Sequence, residues 1–407
     1  MMWNYVKLEE LYTVHNGLSK GRKYFGTGHP FLSFSTVFNN YFIPEELNDL
    51  VQTTEKEQEN YSIKRGDIFV TRTSETSDEL GMSCVALKDY PKATYNGFTK
   101  RMRPIDENVI LPEFIGYYMR LPSFRSEFQA FSTMTTRASL RNEDLLSLKV
   151  PVPPMEVQIK IANTLSNYDN LIQNNKKQIK LLEEASQRLY KEWFVDLRFP
   201  GYEELEIIDG CPKNWSKKSI LDNEIFKFAK SRVIPFDGEK HYYATADVVG
   251  TTLITEGIMI TFDNKPSRAS VQPLENSVWF ARMSNSYKIL NCFGTSAHLA
   301  NDSVISSGFA GFTSLEGCYG FVYQTIASDK FDEEKNRYAT GATQVSLTNE
   351  GLKRIEVLIP TIDIVKQYSK IVEPFMKKAE LLKQNCVLLQ QSRDRLLPKL
   401  MSGEIEV

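Results

Sequence analysis

Two short patterns in this chain have the residue types and spacing of reactive or nucleotide-binding sites. Glu333-Glu334-Lys335 has the spacing of half a nuclease carboxylate–lysine motif, and Gly26-Thr27-Gly28 starts like a glycine loop. Neither is complete. The first is expected to be a chance triplet in a solvated charge run, and the second a turn too short for a nucleotide fingerprint. The sequence has no Asn-Pro-Pro-Tyr/Phe motif of the kind that holds a flipped adenine for methylation, and no Gly-x-x-x-x-Gly-Lys-Ser/Thr loop for ATP. His15, His29, His241 and His298 stand singly, without ligand spacing, and read as surface or loop residues. Cys84, Cys211, Cys292, Cys318 and Cys386 are odd in number and never form a Cys-x-x-Cys pair, which disfavours a disulfide framework and a zinc site. They are expected to be reduced packing residues. The chain is therefore read as non-catalytic, with no metal site.

What remains is side chains that bind. Loops rich in Thr, Ser, Asn, Arg and Lys lie between short apolar runs such as Ile68-Phe69-Val70 and Val278-Trp279-Phe280, which read as strands. Hydrophobic residues at 42%, charged at 25% and aromatic at 12% of 407 residues indicate a folded, multidomain chain. The net charge of −2 does not by itself announce a nucleic-acid binder. The first ten residues lack the order of a signal peptide, and no apolar run approaches the ~18 residues of a spanning helix, so a cytoplasmic location is expected.

The elements that position these loops occur twice. Thr136-Arg137-Ala138-Ser139-Leu140-Arg141-Asn142-Glu143 answers Thr343-Gln344-Val345-Ser346-Leu347-Thr348-Asn349-Glu350 at an offset of 207, and Leu181-Leu182 and Arg188-Leu189 answer Leu388-Leu389 and Arg395-Leu396 at the same offset. Upstream the offset drifts. Ile68 to Ser74 resembles Val278 to Ser284 at 210, and Trp3 resembles Trp215 at 212.

Each copy ends in a long helix. Ile161, Leu165, Tyr168, Ile172, Asn175, Ile179, Leu182, Ser186, Leu189 and Trp193 fall at alternating steps of four and three, the seam of a coiled coil. Tyr368, Val372, Phe375, Ala379, Leu382, Cys386, Leu389, Arg393, Leu396 and Leu400 keep the same phase, so each seam implies the other as its partner. Asn175, Ser186 and Arg393 are polar seam positions of the kind that fix register. Pro374 is expected to kink, restart or shorten the second helix. Pro153-Pro154 and Pro360-Thr361 mark the helix starts.

The first half of each copy reads as a mixed domain. In the first, residues 111–131 suggest short helices broken at Pro122. The expected fold is α/β (α+β), with two globular domains, 1–152 and 215–358, alternating with long helices at 153–198 and 359–407 that pair as an antiparallel coiled coil. A linker at 199–214 joins the copies.

This order, with helices more alike than domains, resembles the specificity subunit of type I restriction-modification systems. The resemblance covers the whole chain. It rests on Gly116-Tyr117-Tyr118, Thr135-Thr136-Arg137-Ala138-Ser139-Leu140, Val150-Pro151-Val152-Pro153-Pro154 and Gln158-Ile159-Lys160-Ile161, on Gly66-Asp67-Ile68 followed by Arg72, and on the closing Arg395-Leu396-Leu397-Pro398-Lys399-Leu400-Met401-Ser402-Gly403. No single motif is specific; their order, spacing and duplication are.

The resemblance implies that each domain reads one half of a bipartite double-stranded DNA target while the helices set the gap. It implies docking of two modification subunits into an adenine methyltransferase, and two restriction subunits that add cleavage in host defence. S-adenosylmethionine would sit on the modification subunit, ATP and Mg on the restriction subunit, and no cofactor on this chain. Base edges are read by Arg, Lys, Asn and Gln, and phosphates are held by basic and hydroxyl groups. The candidates in the first domain are Arg72, Thr73 and Ser74 after a strand, the cluster Lys100, Arg101 and Arg103, and Thr135, Thr136 and Arg137. In the second they are Arg282, Ser284, Asn285, Tyr287, Lys288, Thr343 and Gln344. Arg72 and Arg282 recur at one place in both copies, as readers or as members of a shared structural ion pair. A protein-interaction scaffold, a DNA-binding regulator and the recognition arm of another bipartite restriction enzyme stay open as alternatives.

Overall fold

The computed structural model describes residues 3–74, 80–130, 138–208, 210–342 and 345–406. It divides into two units, Met1–Asn170 with Leu389–Val407, and Leu171–Leu388. Each contains one domain and a stretch of both long helices.

The first domain holds an antiparallel sheet in the order Tyr12–Asn16, Thr99–Pro104, Ile68–Thr71, Ser83–Val85. The second repeats it as Phe226–Phe228, Phe309–Ser314, Ser277–Ala281, Ile289–Cys292. The register repeats as well. Ile68 faces Met102 and Val278 faces Phe312, a shift of 210 on both strands. A second sheet in each domain contains a parallel pair, Phe25–Leu32 with Thr94–Tyr95 and Lys240–Tyr243 with Ser303–Ser306. A closing ribbon joins Asn4–Lys7 to Lys149–Val152 and Ser216–Ser219 to Glu356–Ile359, with Val6 opposite Val150 and Lys218 opposite Val357. The offsets of 212 and 207 thus meet in one strand pair, and the drift between them is loop length.

Two short helices follow in each domain. Pro112–Tyr118 and Pro122–Ala130 are separated at Pro122 as expected. In the second domain Tyr319–Ile326 and Asp329–Arg337 are separated where the Ser328 side chain caps the latter by accepting from Phe331 N–H.

Both long helices enter both cores. In the first unit Ile161 and Leu165 of helix Met155–Phe194 pack with Leu397, Leu400 and Met401 of helix Ile362–Ser402, against Ile68, Val70, Met102 and Phe114. In the second unit Trp193 and Phe194 pack with Tyr368, Val372 and Met376, against Val278, Phe280 and Phe312. The start of one helix lies with the end of the other in each unit, so they run antiparallel. Every expected seam position is buried or half-buried, whereas Leu171, Leu181 and Leu388, off the seam, are exposed.

Pro374 does not shorten the second helix, whose 41 residues run without interruption against 40 in the first. Pro374 and Lys370, whose carbonyl loses its donor, are both exposed, so that carbonyl is open to solvent, and buried Val372 and Met376 anchor the turns on either side. Gly26-Thr27-Gly28 is also not a simple turn. It lies in the irregular strand Phe25–Leu32, with φ of +96° and +109° at the glycines and no room for a Cβ at Gly28, 2.5 Å from the Val51 carbonyl oxygen. All five cysteines are free, four of them buried, and burial pushes the Cys84 and Cys292 thiols up to about 12. Among the described residues no helix is long and apolar enough to cross a membrane.

Polar ties between the helices differ in the two units. In the first, Arg393 donates to Asp169 at 2.5 Å and lies over the Tyr41 ring, and Asp169 also accepts from the Tyr117 hydroxyl at 2.5 Å. In the second, Lys383 pairs with Glu183 at 3.0 Å and Glu380 at 3.1 Å and reaches Thr251 Oγ1. Burial pulls the Lys383 ammonium down, but the two carboxylates more than offset this and hold it charged. Asp169→Ala, which strands the Arg393 guanidinium, is expected to lower the unfolding free energy by about 3 kcal/mol, and Asp169→Leu with Arg393→Met by less; urea denaturation midpoints measure both.

Candidate nucleic-acid interface

The candidate arginines sit where three segments meet, for the same reason in each copy. The buried strand Ile68–Thr71 ends at Arg72, whose N–H donates to Phe98 O at 3.0 Å and whose carbonyl accepts from Leu140 N–H at 3.0 Å. Arg282 donates to Gly308 O at 2.9 Å and accepts from Leu347 N–H at 2.8 Å. Beyond them Thr73–Ser74 pairs with Ala138–Ser139, and Met283 bridges Ser346 while Ser284 N–H donates to Val345 O. The fold therefore joins two candidate groups that lie about sixty residues apart in sequence: the loop after the strand, and the segment leading into the scaffold. Thr135, Thr136, Arg137, Thr343 and Gln344 lie outside the described residues, next to the paired segments.

The two arginines are used differently. Arg72 Nη1 reaches Asn16 Oδ1 at 3.4 Å, and its Nε is buried with no hydrogen-bond partner among the described residues. Arg282 donates to Leu347 O and to Asn349 Oδ1, each at 3.0 Å, and burial pulls its pKa down. It thus braces a carbonyl and an amide rather than a carboxylate. Asn349 and its equivalent Asn142 open the short helices Asn349–Lys353 and Asn142–Ser147, and Asn142 Oδ1 accepts from Lys100 Nζ. Both asparagines therefore hold a cation, contributed by different strands.

The cluster Lys100, Arg101, Arg103 does not act as one patch. Side chains alternate along a strand, so Lys100 takes one face of Thr99–Pro104 and the two arginines the other. Lys100 is buried, and desolvation, with the Arg72 charge nearby, pulls its ammonium down. Arg101 is buried over the Tyr95 ring and donates to Ser62 O at 2.8 Å. Arg103 grips the fully buried Asp67 with two bonds of 2.7 and 2.6 Å.

In the second domain the loop after Arg282 is held from beneath. Asn336 Oδ1 accepts from Asn285 N–H at 2.8 Å and from Ser284 Oγ at 3.4 Å. The Tyr287 hydroxyl donates to Ala327 O, and burial pushes this phenol up to about 12. Lys288 Nζ donates to Thr245 O at 2.7 Å. Lys335, expected in a solvated charge run, is 2% exposed, donates to Ser286 O and pairs with Asp332. The helix Asp329–Arg337 carries this lysine inward because Phe331, four residues earlier, is on the buried face. The Asn285 side chain is exposed at the tip, with φ +54°.

Sequence reasoning missed Asn16, whose amide meets Arg72, and Phe98, 55% exposed beside Arg72's backbone. The signal for Phe98 was Asn96-Gly97 before it, a turn pair.

Residues 2–184 match the family model described as the type I restriction modification DNA specificity domain. The whole chain aligns at 25% identity with 94% of the type I restriction enzyme MjaIX specificity subunit of Methanocaldococcus jannaschii. At 20% identity, 92% of it aligns with 94% of the type I restriction enzyme HindI specificity subunit of Haemophilus influenzae. Its fold is similar to the crystal structure of the type I restriction-modification S subunit from M. genitalium, with a TM-score of 0.58 at 16% identity over 98% of this chain and 96% of that one.

Arg103 and Asp67 are structural by this geometry. Asp67→Ala is expected to cost about 3 kcal/mol in urea unfolding because it leaves Arg103 unpaired, and Arg103→Lys, which cannot make the bidentate grip, to recover only part of what Arg103→Ala loses.

Proposed function

We propose, for a chain that belongs to the family of type I restriction-modification specificity subunits, that its two domains read the two halves of a split DNA target and that its helix pair sets the number of base pairs left unread between them. The observation that carries this reading is the arginine crossing found in both copies, where a strand end, a turn and the segment leading to the scaffold share the same backbone bonds. A surface built twice suits a target read in two parts, and two equivalent faces suit two copies of one partner. Arg72 with Asn16 and Thr73-Ser74 reads the first half, Asn285 with Ser284 the second. Thr135, Thr136, Arg137, Thr343 and Gln344 join them, and Arg101, Arg103 and Arg282 hold the loops in place. The bound modification subunits supply S-adenosylmethionine and adenine methylation, restriction subunits supply ATP- and Mg-dependent cleavage, and the assembly works in the cytoplasm.

Methylome sequencing of cells with and without the gene tests this reading. A split adenine-methylated motif that disappears with the gene is expected; a methylome unchanged by deletion overturns it. Within the assembled methyltransferase, Arg72→Ala is expected to weaken target binding by about 1–3 kcal/mol, with thermal unfolding as the control. At a net charge of −2 the isolated chain is expected to bind the target much more weakly than the assembly, because the partners supply most phosphate contacts. Equal affinities in a salt titration would contradict that division.

A further inference from the structure

The turn that receives each arginine's N–H is built alike in the two domains and ends differently. Asn96 Oδ1 accepts from Phe98 N–H at 2.7 Å, and Ser306 Oγ accepts from Gly308 N–H at 3.1 Å, again 210 residues apart. In the first domain the turn is further fixed by Thr99, whose N–H and hydroxyl both donate to Asn96 O, by a bridge between Leu18 and Asn96, and by the close approach at Gly97, where a Cβ would stand 2.3 Å from Ser19 Oγ and 3.0 Å from the Leu18 carbonyl oxygen. The product is a rigid loop that holds one large apolar side chain in water, Phe98 at 55% exposure, next to Arg72 and its amide partner Asn16. In the second domain the same position is Gly308, and a Cβ there would stand 3.0 Å from Thr245 Cγ2. That site has no side chain, and adding one would require Thr245 to give way by a few tenths of an ångström.

An exposed phenyl ring is a cost to the free protein that a bound partner removes, and a ring ordered in advance loses little entropy on contact. Its neighbours are an arginine and an asparagine, the donors and acceptors that read major-groove edges, and in that groove the one apolar group is the thymine 5-methyl. We infer that Phe98 reads a thymine methyl in the half-site of the first domain, and that the second domain, with Gly308, makes no such contact. The inference rests on the reading of this chain as a DNA specificity subunit. It makes the two halves of the target unlike in kind, although the two domains share one fold.

The assay is competition binding by the assembled methyltransferase to duplexes in which each thymine of the recognised motif is replaced in turn by deoxyuridine, which lacks only the methyl. The wild-type protein is expected to lose roughly tenfold in affinity at one thymine of the first half-site, the scale of one methyl in an apolar contact. Phe98→Ala should bind the thymine and deoxyuridine duplexes alike at that position, and Phe98→Leu should keep part of the discrimination. Phe98→Ala should leave the second half-site's response unchanged. The inference is overturned by a Phe98→Ala protein with unchanged affinity, by discrimination that persists in it, or by a loss independent of the methyl, as an inserted wedge would give. A first half-site without thymine also overturns it. A wild-type assembly with no preference for a split motif would instead refute the specificity-subunit reading.

Discussion

Each domain can bury its inner sheet face only by using both long helices. In one unit Ile161 and Leu165 meet Leu397, Leu400 and Met401 over the strand Ile68–Thr71; in the other Trp193 and Phe194 meet Tyr368 and Val372 over Ser277–Ala281. Burying such a side chain contributes about 1.5–3 kcal/mol, so neither domain is independent of helix residues that lie more than eighty positions from its central strand. This shared burial forces the antiparallel pairing. It also keeps the second helix continuous through Pro374, since anchored turns on both sides outweigh one lost backbone bond.

Within that frame the polar interactions divide into those that specify and those that bind. Arg393 with Asp169 and Lys383 with Glu183 and Glu380 occupy positions that are not equivalents in the repeat: the equivalent of Asp169 is Met376, and that of Arg393 is Ser186. A buried charge without its partner is costly, so this asymmetry favours the native pairing of the helices over pairing of either helix with a copy of itself. At the candidate interface, burial separates side chains that composition alone would group together. Arg101 and Arg103 are committed to Ser62 and Asp67, and Arg282 to Leu347 and Asn349, leaving Asn285 and Phe98 exposed and Arg72 half-buried, each on an otherwise braced loop of its own domain.

The repeat was legible because it is covalent: the offsets of 207, 210 and 212 reappear as strand registers. The helical seams were legible for a similar reason, since a period of 3.5 residues is a local property of the chain. The break at Pro122 and the strands Ile68–Thr71 and Ser277–Ala281 likewise follow from local propensity and pattern. Lys335 was misread as solvated because a charged triplet gives no sign of Ser286, forty-nine residues away, whose carbonyl accepts from it. Nor does the sequence show that Gln158 is buried, with an amide that serves Leu111, Val109 and Pro153 at once.

The sequence by itself determined that one architecture is used twice, which helix faces are apolar and which loops are rich in hydrogen-bonding groups. Those are matters of period and composition. Only the tertiary structure decided which basic side chains face inward, because the alternation of a strand and the depth of its burial assign Lys100 and Arg101 to opposite faces. It also decided that Phe98, an apolar residue in a polar loop, belongs to the surface, because Asn96, Thr99 and Arg72 fix the turn that holds it there.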